Sequence, residues 1–173
     1  RKAEYAASQT VTFAILLSVL LGAVGFFFVG DFVRFLGASA DVAPGATSYL
    51  KVMSLGLWAM FGFGVFIALS RGAGDTVTPM IVMFGTVVLN VALDPLLIFG
   101  VGPLPELGVQ GAAIATIFSR ALALLVGFGI MLQGRRGVRI RPREMIPSPS
   151  YMGRLARIGL PASIEGTGRS ISV

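Results

Sequence analysis

The longest charge-free runs in this chain are as long as a lipid bilayer is thick, and that restricts the fold more than any motif does. Thr10 to Gly30 holds 21 residues without a charge. At about 1.5 Å per helical residue it spans roughly 30 Å, the depth of the hydrocarbon. Val52 to Ser70 gives a second run and Thr76 to Leu93 a third. The third opens near Pro79, which a first helical turn tolerates, and reads on to Phe99, enclosing Asp94 and Pro95. A fourth apolar segment contains Arg120. The runs predict an all-α, polytopic transmembrane bundle with spans at about 10–30, 52–70, 79–99 and 109–132.

The segments between them are short and polar. Arg1 to Gln9 is a polar start. Arg34 to Gly45 is a connector with Gly37 and Pro44, and Thr47 to Lys51 form the first turn of span two. Arg71 to Thr76 is a tight hairpin, and Gly100 to Gly108 a short loop. The long basic stretch from Gln133 to Pro149 has Pro142, Pro147 and Pro149 against a continuous helix. Tyr151 to Ile158 starts another helix, which leads into a fifth apolar segment with Glu165 and Arg169. The chain does not begin with Met and stops inside apolar sequence, so both ends read as truncations. The first run lacks a small-residue cleavage site and reads as a span, not a signal peptide.

Composition closes the soluble alternative. Charged residues make up 13% and hydrophobic ones 55%, where a soluble domain carries about 25% charged residues. Mean hydropathy is +0.85. A Gly-rich β-protein would need strands of about 20 residues and hairpin alternation, and neither fits. The 23 glycines suit helices that approach closely in lipid. With no Cys and no His, the chain lacks disulfides, the usual zinc ligands and Cys–His or Ser–His nucleophile systems. No cofactor and no enzyme activity are expected.

Basic residues fix the orientation. Alternate crossings put Arg1, Lys2, Arg71, Arg135, Arg136, Arg139, Arg141, Arg143, Arg154 and Arg157 on one face. The other face holds only Arg34 and Lys51. Lys and Arg gather on the cytoplasmic side, so residues 1–9, 71–76 and 133–157 are cytoplasmic and 31–51 and 100–108 external, in a multi-pass protein of the plasma membrane.

Ionisable residues at membrane depth need a partner or water. The candidates are Asp94, Arg120, Glu165 and Arg169. Asn90 and Asp94, at i and i+4, share one face of span three. Thr116 on span four reaches a similar depth, with Arg120 one turn deeper on the same face. A cluster of Asn90, Asp94 and Thr116 can hold Na⁺ or present a titratable carboxylate, and either couples an ion gradient to transport. Pro95 removes a helix hydrogen bond beside it and frees a carbonyl. The competing reading makes Asp94 and Arg120 a structural ion pair. Glu165 has two readings as well: a charge that attracts a cationic substrate or carries a proton, or a partner of Arg169. Trp58, Phe61, Phe63 and Phe66 populate span two and mostly face lipid or neighbouring helices.

Two motifs exclude themselves. Gly72-Ala73-Gly74-Asp75 matches the GxGD pattern of intramembrane aspartyl proteases, but the preceding span has no acid and Asp75 lies in a loop. The same residues lack the third Gly and the βαβ setting of a dinucleotide site. The basic run Arg135 to Arg143 beside a membrane anchors to anionic headgroups and not to nucleic acid.

Four segments together resemble one family. They are Arg71-Gly-Ala-Gly-Asp-Thr-Val-Thr-Pro79, Asn90-Val-Ala-Leu-Asp-Pro-Leu-Leu-Ile-Phe-Gly100, Pro105-Glu-Leu-Gly-Val-Gln-Gly-Ala-Ala-Ile-Ala-Thr116 and Gly159-Leu-Pro-Ala-Ser-Ile-Glu165. In order and spacing they resemble the MATE family, multidrug and toxic compound extrusion transporters, in its prokaryotic and archaeal-like members. The resemblance implies twelve transmembrane helices in two lobes, of which this chain is similar to the third to the start of the seventh. Residues 1–132 would then belong to the N-terminal lobe, 133–153 to a basic cytoplasmic linker and 154–173 to the start of the C-terminal lobe. It implies a Na⁺- or H⁺-coupled antiporter that exports amphipathic organic cations, monomeric when complete. Asn90, Asp94 and Thr116 match an ion-coupling cluster whose further member, an aspartate of the first helix, falls outside this chain. Glu165 matches an acid early in the seventh helix, and Arg120 matches no role. A flippase for lipid-linked or polysaccharide precursors is the alternative within transport, and a non-transporting membrane scaffold the alternative outside it.

Overall fold

The computed structural model describes residues 2–100, 105–133, 145–157, 159 and 161. Its helices are α1 (Lys2–Phe35), α2 (Ala43–Leu55), α3 (Leu57–Gly72), α4 (Val77–Ile98) and α5 (Val109–Gln133), and residues 149–157 are helical as well. α1, α4 and α5 are each long and apolar enough to cross a membrane, and α2 and α3, bent by 53° against each other, are together long and apolar enough for a fourth crossing. The molecule is an all-α, multi-span membrane helical bundle whose connections alternate between its two sides. Large apolar side chains stay uncovered, among them Phe27 at 76% and Phe84 at 71%, as lipid-facing or helix-facing surfaces require.

α4 and α5 follow the expected spans 79–99 and 109–132 within two residues. Span two does not. It was expected as one helix over 52–70 with its first turn at Thr47 to Lys51. Instead the helical chain starts at Ala43 and breaks at Gly56. The cause lies on another helix. A Cβ at Gly56 would stand 2.9 Å from Cγ2 of Ile117 and closer still to its other carbons. Ile117 of α5 thus occupies the space that a side chain at Gly56 would need. α1 also begins before the charge-free run, at Lys2, and continues past Asp31 to Phe35. Its 34 residues span roughly 51 Å, so it overhangs a hydrocarbon layer of about 30 Å.

Small residues set the packing. The buried face of α5 includes Gly111, Ala115, Ser119, Ala123 and Gly127, four residues apart, a stripe that lets backbones approach. α3 and α5 interlock both ways. A Cβ at Gly127 would stand 2.6 Å from the Phe66 ring, and one at Gly62 would stand 2.7 Å from Leu124. On the far side, Ser54 of α2 occupies the space beside Gly22 and Gly25 of α1. Phe63 and Phe66 are stacked, with ring centres 6.1 Å apart, and join Val11, Ala123 and Met131 in the core.

The turns satisfy helix ends locally. Gly74 takes φ +84°, a left-handed value that suits glycine. The Asp75 carboxylate then accepts the Thr78 N–H at 2.9 Å and caps α4. The Gly-Ala-Gly-Asp motif is therefore a hairpin with a helix cap. At the opposite end, Leu107 and Gly108 donate their N–H groups to the carbonyls of Leu97 and Ile98, each at 3.1 Å, closing the end of α4.

The cytoplasmic overhang of α1 has its own partner. Gln9, 1% exposed, donates its amide to the Ile146 carbonyl at 2.8 Å and accepts the Ser148 N–H at 3.2 Å. The Thr12 hydroxyl reaches the Met145 carbonyl at 2.9 Å. Tyr5 meets Tyr151 edge-on at 5.6 Å. The Gln9 and Thr12 side chains thus fasten residues 145–148 to α1.

Candidate functional site

Antiparallel packing of α4 on α5 carries the polar cluster. Asp94 lies four residues before the end of α4 and Asn90 eight, roughly 6 and 12 Å below the external end. Thr116 lies seven residues into α5, roughly 10 Å below the same end. The three side chains meet. Asn90 Nδ2 lies 3.3 Å from Asp94 Oδ1 and 3.5 Å from Thr116 Oγ1. The Thr116 hydroxyl donates to the Ala112 carbonyl at 3.0 Å, which leaves its lone pairs toward Asn90. All three are half-buried.

The donor set is one carboxylate, one carboxamide and one hydroxyl. It is hard, oxygen-rich and singly charged, which suits Na⁺ or a proton better than a transition metal. No group of three His, Cys, Asp or Glu side chains that could hold a metal occurs among the described residues. Pro95 sits inside α4 without breaking it. It has no N–H for the Val91 carbonyl, so a backbone acceptor stays free one turn from Asp94.

Arg120 is elsewhere. Its guanidinium carbon lies 5.3 Å from the centre of the Phe63 ring on α3. Among the described residues it makes no ion pair with Asp94. Arg120 lies eleven residues into α5, roughly 16 Å down and one turn past Thr116, beside the aromatic pair. A ring contact stabilises a cation by about 0.5–2 kcal/mol, against at least about 2.5 kcal/mol for placing it at mid-membrane. The ring offsets only part of that cost. Sequence reasoning placed Phe63 among the aromatics of span two but did not connect it with Arg120, since nothing local singles it out among 13 phenylalanines. Glu165 and Arg169 lie outside the described residues.

Comparison with known proteins agrees with this arrangement. The MatE family model matches residues 1–96. The probable multidrug resistance protein NorM of Thermotoga maritima is 40% identical over 134 residues, covering 76% of this chain and 28% of that protein. The probable multidrug resistance protein YoeA of Bacillus subtilis is 32% identical over 162 residues, covering 90% of this chain and 34% of that protein. The chain therefore spans about a third of the length of the curated relatives it matches. The outward-facing structure of a multidrug resistance MATE family transporter of the MOP superfamily superposes with a TM-score of 0.82 at 28% identity, over 97% of this chain and 37% of that one. With the family model covering more than half of the residues and the helices superposing almost end to end, the chain belongs to the MatE family of membrane transporters.

Proposed function

We propose that this chain is the part of a two-lobe, twelve-helix antiporter that runs from the third to the start of the seventh helix, and that it holds the coupling-ion site of the N-terminal lobe. Residues 1–132 belong to that lobe, 133–153 link it to the next, and 154–173 begin the C-terminal lobe. The complete protein, a monomer in the bilayer, exchanges Na⁺ or H⁺ for amphipathic organic cations and exports them. Asp94 carries the charge, and Asn90 and Thr116 supply neutral oxygens. Glu165, in the second lobe, draws in the cationic substrate.

The observation that carries this reading is the Asn90 amide, which reaches Asp94 on its own helix and Thr116 on the next. A carboxylate shared between two spans can feel an ion and move a helix pair, the two requirements of coupling. The printed names of both relatives, multidrug resistance proteins, support drug-like substrates.

The test is drug efflux by the full-length protein carrying Asp94→Asn, under imposed Na⁺ and proton gradients. Coupled export is expected to vanish while membrane insertion persists. Efflux at wild-type rates under both gradients would remove Asp94 from coupling.

A further inference from the structure

The external segments carry two basic residues in all, Arg34 and Lys51. They come from different helices and yet line one cleft. It has a volume of about 500 Å³, lies between the end of α1 and the start of α2, and is also lined by Thr47 and Ser48. Among the described residues no acid lines it: Asp31 and Asp41, the acids nearest in sequence, are absent from its walls. Ser48 is held by a hydrogen bond from Gln110 of α5. Lys51 is held too, its Nζ 5.7 Å from the centre of the Phe26 ring.

Phe26, the ring beneath Lys51, lines a second cavity. This one, about 330 Å³, runs deeper along the same α1–α2 seam and is mostly apolar, with Val19, Ala23, Leu55 and Trp58 among its walls. Its α1 wall extends from Ser18 to Phe27, roughly 14 Å along the axis, about half of the hydrocarbon thickness. The order from the external surface inward is thus two cations with two hydroxyls, then an aromatic ring, then an apolar slot one leaflet deep. Trp58, 45% exposed, stands at the side of the slot.

We propose that this seam binds an anionic phospholipid of the outer leaflet. Arg34 and Lys51 take the phosphodiester, Thr47 donates to its free oxygens, and one acyl chain lies in the slot between Ala23 and Trp58. Charge complementarity selects an anionic head, because the cleft offers cations and no carboxylate to receive an ammonium group. The apolar slot selects a lipid over a free phosphate, which has no tail to bury there. The site is separate from the Asn90–Asp94–Thr116 cluster, so it stands or falls apart from the transport reading.

The experiment is native mass spectrometry of the purified full-length protein, titrated with phosphatidylglycerol, with phosphatidylcholine, and with phosphatidylglycerol against excess inorganic phosphate. Phosphatidylglycerol is expected to bind in preference to phosphatidylcholine and to resist inorganic phosphate. The double variant Arg34→Gln/Lys51→Gln should weaken its binding about tenfold or more, and Arg34→Lys/Lys51→Arg should restore it. Ala23→Phe, which fills an exposed stretch of the slot, should weaken it as well. Binding unchanged in both the Gln double variant and Ala23→Phe overturns the proposal, as when other helices of the complete protein cover the seam. Displacement by inorganic phosphate, or sensitivity to only one of those two variants, overturns it equally, since the site would then be a bare anion pocket or a plain apolar groove. Unfolding temperatures in lipid-free detergent show that each variant is folded.

Discussion

Arg120 rests its guanidinium on the ring of Phe63, 5.3 Å from ring centre to Cζ, and the two residues come from helices that sequence alone does not pair. The contact predicts a measurable coupling. Phe63→Leu should destabilise the full-length protein by about 1–3 kcal/mol, and Phe63→Tyr by less, since it keeps the ring. In an Arg120→Leu background the cost of Phe63→Leu should shrink by about 0.5–2 kcal/mol. Chemical denaturation in detergent gives all four corners of the cycle. Additive effects would mean that the cation gains nothing from the ring.

The bend at Gly56 predicts a size-dependent failure with a designed rescue. Gly56→Ala puts a Cβ against Ile117, an overpacking that costs about 1–3 kcal/mol. Ile117→Ala opens the space, so the double variant should be more stable than the sum of the two singles. Thermal unfolding reads this directly, and strict additivity would place the cause of the bend elsewhere.

Gln9 predicts a local change in exchange. Gln9→Leu strands the Ile146 carbonyl and the Ser148 N–H, each costing about 1–3 kcal/mol when left without a partner. Amide exchange at residues 145–152 should accelerate by about tenfold or more, with α4 and α5 unchanged. Hydrogen-exchange mass spectrometry of the full-length protein checks it. Equal protection in variant and parent would show that this clasp does not hold in solution.

Asp75 predicts a stability loss without a chemical one. Asp75→Ala removes the cap on Thr78 and should cost about 1 kcal/mol, with Asp75→Asn or Asp75→Ser recovering most of it. A cap is replaceable by any short acceptor; unfolding midpoints of the three variants rank them.

The legible parts of the fold were those that depend on neighbours along the chain. Apolar length located α4 and α5, because a bilayer imposes its thickness on each span separately. The i, i+4 spacing of Asn90 and Asp94, together with matched depth on an antiparallel neighbour, was enough to bring Thr116 to the same place. The bend was illegible because Gly56 differs from the other glycines only through Ile117, a residue 61 positions later that occupies its missing side chain. The overhang of α1 was hidden for a similar reason. Arg1 to Gln9 is too polar for lipid, and Gln9 has its partners at residues 146 and 148. Phe63 under Arg120 is the third case, a contact between distant helices that leaves no periodic trace.

The clasp at Gln9 and Thr12 has a mechanical consequence. The three hydrogen bonds all fall between Met145 and Ser148, and Tyr151 is braced on Tyr5 at once afterwards. The helix that starts at residue 149 therefore takes its bearing from α1, and the two cannot part without undoing three hydrogen bonds.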